Sequence, residues 1–201
     1  MNSDMRSRER INSRDLITIG IFNALILVVF LGLQAILQPI PGMGVFNGGL
    51  VGFLMAPLYL LLAVRVRKFG VFTITSVLYS LLLAAIGFYP AILPVLVGGL
   101  VADLLGVFTG FQNMAGLITA YVAYKIFEGL GNMSVYVINP QRFAANMPPA
   151  AREQFMQGVA LFTVWAGVLI LVLTVVGCTI GGVMAARLLR KHFERAGLLT
   201  A

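Results

Sequence analysis

Apolar residues run in long stretches broken by charges, glycines or prolines, at about 16–37, 45–64, 69–87, 91–110, 112–130 and 161–186. A helix needs about 20 residues to cross a hydrocarbon core of roughly 30 Å, so the pattern predicts six membrane-spanning helices. Lipid-facing barrel strands would alternate apolar and polar at every second position. These runs do not alternate, and the fold is read as all-α. Pro90 divides the third span from the fourth at Gly87-Phe88-Tyr89-Pro90, because the residue before a proline avoids the helical region. The uncharged turn Gly110-Phe111-Gln112-Asn113 divides the fourth from the fifth.

Composition agrees with the pattern. Of 201 residues, 60% are hydrophobic and 10% charged, and the mean hydropathy is +0.97. Six crossings use roughly 120 positions, which leaves no room for a sizeable soluble domain and predicts a single membrane domain over 1–201. Lys and Arg concentrate in cytoplasmic loops. With the amino terminus inside, Arg6, Arg8, Arg10, Arg14, Arg65, Arg67, Lys68, Arg187, Arg190, Lys191 and Arg195 face the cytosol, and only Arg142 and Arg152 lie outside. Both ends are basic, so the number of crossings is even and both termini are cytoplasmic. The net charge of +7 is accounted for by topology and by attraction to anionic lipid, without nucleic acid as a partner. The first apolar run is too long for a signal peptide and lacks a small-residue cleavage site, so it is read as an uncleaved helix. No internal repeat aligns, which weighs against inverted-repeat carriers.

Ionisable groups inside the membrane are expensive and are functional candidates by default. Asp103, deep in the fourth span, is read either as a cap or hydrogen-bond partner for a neighbouring helix or as a proton or coupling site. Lys125 and Glu128 are spaced i, i+3 on the outer half of the fifth span, where they can pair. They form an interfacial salt bridge or line an outward-facing cavity. Gln34 and Gln38 at the outer end of the first span, Asn47, Tyr89, Tyr121, Asn132 and Trp165 can join them. For Tyr89 and Trp165, membrane-belt anchoring competes with ligand stacking. Apolar walls with a few placed polar groups make a ligand pocket, and these residues supply both. Residues 131–160 form an external loop in which Met147-Pro148-Pro149 starts a short helix; a lid over the cavity is one use for it.

No metal or cofactor is expected. The sole cysteine, Cys178, excludes an intrachain disulfide and Cys-based metal sites, and the sole histidine, His192, lies in the basic tail. Ser-His and Cys-His catalysis lack their parts, and neither a P-loop nor a dinucleotide fingerprint occurs. An enzyme is not expected, and energy for transport would come from a partner or an ion gradient.

Two segments carry a family resemblance: Asp15-Leu16-Ile17-Thr18-Ile19-Gly20-Ile21-Phe22-Asn23-Ala24, and Gly181-Gly182 through Arg187-Leu188-Leu189-Arg190-Lys191-His192-Phe193-Glu194-Arg195-Ala196-Gly197. With Val64-Arg65-Val66-Arg67-Lys68-Phe69-Gly70 and Gly99-Leu100-Val101-Ala102-Asp103-Leu104-Leu105, the chain resembles the Trep_Strep family of bacterial membrane proteins. That family is regarded as substrate-binding (S) components of energy-coupling factor transporters. The resemblance implies a six-helix S-component bundle in the bacterial cell membrane that binds a vitamin or other micronutrient from outside. It also implies docking on a membrane coupling subunit with two cytoplasmic ATPases. S components dock through an A-x-x-x-A-like pattern in the first helix; here Gly20 and Ala24 hold that spacing, with glycine in place of the first alanine. No vitamin-binding motif of the riboflavin, thiamine or biotin components is matched.

The expected function is therefore ligand binding within an ATP-driven importer. Two other classes compete with it: an autonomous ion-coupled carrier or small channel working through Asp103, and a non-transporting membrane assembly protein.

Overall fold

The computed structural model describes residues 11–37, 40, 43–111, 113–145 and 147–195. Among them the chain is all-helical: α1 (Ser13–Leu37), α2 (Met43–Val66), α3 (Val71–Ala85), α4 (Tyr89–Thr109), α5 (Met114–Val137), α6 (Pro140–Ala144), α7 (Pro149–Leu161) and α8 (Val164–Arg195). Four helices, α1, α2, α4 and α8, are long and apolar enough to cross a membrane, and α3 is a shorter apolar helix. This is an all-α integral membrane protein.

Local chemistry sets the helix limits. α1 begins before residue 16 because Asn12 and Asp15 cap it reciprocally: each backbone N–H donates to the other's side chain at 2.9 Å. Lys68 then bonds Asp15 at 2.8 Å, tying α1 to the α2–α3 turn. α3 starts at Val71 rather than 69, because Gly70 takes a left-handed φ of 106° that side chains rarely adopt. A Cβ there would also meet Ile11. α5 is N-capped by Asn113, whose side chain accepts from Ala115 N. α5 also runs past residue 130 to Val137, since Gly131 lets it pack directly on the backbone of Ala91 and Val135 is buried. α8 likewise continues through the basic segment to Arg195.

Gly, Ala and Ser recur at four-residue spacing along the spans, and these small residues do unequal work. α2 and α8 touch backbone to backbone: a Cβ on Gly177 would collide with Gly49, one on Gly181 with Phe53, and one on Gly52 with Cys178. Such close approach replaces the hydrophobic drive that lipid does not provide. These contacts also set direction. Positions 49 and 53 meet 177 and 181, so α2 and α8 run parallel; Gly182 meets Ile118 and Gly129 meets Leu171, so α5 and α8 are antiparallel. Gly98 against Phe127 and Gly131 against Ala91 make α4 antiparallel to α5, and Gly99 against Ser76 and Phe72 brings α3 beside α4. Asn23 bonds Thr75 and Phe30 packs on Tyr79, so α1 runs parallel to α3. Helices α1 to α5 and α8 thus alternate in direction along the chain.

Arg14, Arg65, Arg67, Lys68 and Arg187 gather at one end of the bundle, and Arg142 and Arg152 lie at the other. At that second end, the α6–α7 segment is held by rings: Phe88–Phe143 at 4.4 Å, Phe143–Phe155 at 5.1 Å, Tyr136–Phe155 at 5.2 Å and Tyr136–Phe162 at 5.4 Å between centroids. Pro149 begins α7, where its missing N–H costs nothing.

Candidate functional site

α5 turns one continuous face into the bundle: Leu117, Tyr121, Tyr124, Lys125, Glu128, Gly131 and Val135 are all buried. This i, i+3, i+4 progression keeps successive side chains on one side of a helix. Lys125 and Glu128 are 5% and 7% exposed, and Lys125 Nζ bonds Glu128 Oε2 at 2.7 Å. The ammonium lies 4.8 Å from the ring centroid of Tyr59 on α2 and 5.8 Å from that of Tyr124. Tyr59 in turn stacks obliquely on Tyr121 and Tyr124 at 5.2 and 5.7 Å. Tyr121 donates its hydroxyl to the carbonyl of Gly52. The result is an ion pair with a partial aromatic cage around its cation.

Its place along the helix follows from the length of α5. A helix of 24 residues is about 36 Å long, and Lys125 sits roughly 17 Å from its first residue. The pair is therefore near the middle of α5, with Lys125 just before its midpoint and Glu128 just past it, because α5 extends to Val137. Burying a charge pair gives little net stability: replacing such a pair by apolar residues is often neutral or stabilising by about 1–4 kcal/mol, while removing one partner costs about 3–5 kcal/mol. Folding alone does not call for this pair.

The other expected site residues separate into groups. Asn47 Nδ2 donates to Gln34 Oε1 at 3.0 Å, joining the end of α1 to the start of α2, and Asn47 Oδ1 is buried without a partner among the described residues. Asn132, half-buried, follows Glu128 by one turn of α5. Tyr89 and Trp165 stay apart, at 68% and 81% exposure; each stands in the first turn of its helix, α4 or α8, where a belt aromatic would be. Gln38 lies outside the described residues, as do Arg6, Arg8 and Arg10.

Asp103 acts as a cap between helices. Its Oδ1 accepts from Phe72 N at 3.1 Å, and its Oδ2 from Thr73 N at 2.8 Å and Thr73 Oγ1 at 2.6 Å. The first N–H groups of a helix have no partner within it, and a carboxylate beside them also meets the positive end of the helix dipole. α3 has no side-chain cap of its own, so α4 supplies one. Gly20 and Ala24 are exposed on α1, and among the described residues nothing lies within 4 Å of a Cβ placed on Gly20.

Reading the sequence missed Tyr59 and Tyr124. Tyr124 could have been found from Tyr121-Val122-Ala123-Tyr124-Lys125, where two phenols three apart lead into the lysine; Tyr59 offers only a phenol in an otherwise aliphatic run. An external groove between α5 and α8 is lined by Ile126, Leu171, Val172, Val175 and Val176 and offers a solute no polar group. Among the described residues no three His, Cys, Asp or Glu side chains come together to hold a metal.

No curated protein and no solved structure matches the chain. The model of a family of hypothetical bacterial integral membrane proteins, Trep_Strep, matches residues 13–195, and the chain belongs to that family.

Proposed function

We propose that this protein is the substrate-binding membrane component of an ATP-driven importer of the energy-coupling factor type. It takes a small micronutrient from outside and depends on a membrane coupling subunit with a pair of cytoplasmic ATPases. The observation that carries this reading is the Lys125–Glu128 pair, buried mid-helix between the rings of Tyr59 and Tyr124. An intramembrane charge pair facing the bundle interior marks a substrate or ion pathway by default. The sequence resemblance supports the importer assignment. The alternating helix directions and the basic residues at one end support six crossings of the cytoplasmic membrane with both termini inside.

On this reading the protein carries out no catalysis itself. α1 is the docking element: Leu16, Ile17, Ile21, Leu25 and Val28 face outward around the gap at Gly20 and Ala24, where another helix can approach closely. Asp103, already engaged as a cap, is not needed as a proton carrier, which sets the ion-coupled alternative behind. Purification from native membranes tests the proposal. The parent chain should bring down a coupling subunit and ATPases, while Gly20→Leu and Ala24→Leu lose them and keep the parent's thermal stability. Retention of the same partners by both variants, or the absence of any ATPase with the parent chain, contradicts it.

A further inference from the structure

We infer that the Lys125–Glu128 cluster is a zwitterion site, whose ligand carries an ammonium and a carboxylate on one small molecule, as an amino acid does, and binds by exchanging partners with the two side chains. This rests on the importer reading for its context and adds the chemistry of the cargo.

Charge balance is the first reason. The pair sums to zero and is buried at mid-helix. An entering anion would take Lys125 and leave Glu128 alone; an entering cation would take Glu128 and leave Lys125 alone. Either leaves one buried charge without a partner, which is strongly unfavourable. A ligand with both charges leaves all four paired.

The surroundings of the ammonium are the second reason. Two phenol rings at 4.8 and 5.8 Å and a carboxylate oxygen at 2.7 Å surround Lys125 Nζ. Aromatic faces with an anion are the environment that organic ammonium ligands seek. Lys125 thus occupies, from within the chain, the place that a ligand's ammonium fits.

Mobility is the third. A lysine ammonium sits on a flexible four-carbon stem with three rotatable donors, so it can leave the cage and meet the ligand's carboxylate. Glu128, a shorter side chain one turn along the same helix, receives the ligand's ammonium. No bond is made or broken, and no proton needs to move.

The test uses the purified full chain in mild detergent with each common amino acid as probe, read by thermal unfolding. Any amino acid that raises the Tm is then compared with its N-acetyl derivative, which keeps only the carboxylate, and its methyl ester, which keeps only the ammonium. We expect at least one amino acid to bind, and loss of either charge to weaken it by at least roughly tenfold. The Lys125→Met/Glu128→Met double variant should fold and show no shift with that amino acid. Equal binding of a single-charge derivative overturns the proposal, as does the absence of a shift with every amino acid. A cargo with one charge or none, taken up with the coupling subunit and ATP, sinks the zwitterion site and leaves the importer standing. Amino-acid binding without any ATPase partner does the reverse.

Discussion

Lys125 illustrates how much a single residue can disclose inside a membrane. Its charge is buried near the middle of α5 and is matched by Glu128 at 2.7 Å. The pair makes an asymmetric prediction: Lys125→Met alone leaves a buried carboxylate and lowers stability by about 3–5 kcal/mol, whereas Lys125→Met/Glu128→Met recovers most of that loss. Thermal unfolding of the purified variants checks it; a double variant no more stable than the single would make the pair a structural necessity. Lys125, Glu128 and Asp103 were legible in the sequence because a charge in an apolar run stands out. Tyr59 and Tyr124 were not, since a tyrosine in a span reads as a belt residue until a neighbouring helix places its ring over a cation. Asp103 had two readings, and only the approach of α3's N-terminus to α4 separates them.

At the level of elements, the same ambiguity affects the small residues. Four-residue spacings of Gly, Ala and Ser occur in each span, and composition does not distinguish an internal seam from an open face. The structure does: Gly177 lies on the backbone of α2, while a Cβ placed on Gly20 would meet nothing within 4 Å among the described residues. Gly177→Leu should therefore separate α2 from α8 and sharply reduce the yield of monodisperse protein on gel filtration, an effect Gly20→Leu should lack. Equal yields for the two would mean that the α2–α8 seam does not hold the bundle together. Helix limits were legible where a cap or turn marks them, as at Asn113, Pro149 and Gly110. The end of α5 was not, because Gly129 and Gly131 resemble a stop signal in isolation. Gly131 instead admits the backbone of Ala91, so the helix continues.

For the whole molecule, directions and charge combine. Helices that alternate along the chain, with Arg14, Arg65 and Arg187 at one end and Arg142 and Arg152 at the other, describe a bundle with two distinct faces. The pair near the middle of α5 is a polar centre between them, and the α6–α7 segment packs at one end through Phe143 and Phe155. Ligand binding at that centre is the claim on which the importer account depends. Mass spectrometry of small molecules retained through mild-detergent purification tests it most directly, with the parent chain and the Lys125→Met/Glu128→Met variant prepared side by side. The account predicts a compound enriched with the parent and missing from the variant; the same compounds at equal levels in both preparations would contradict it.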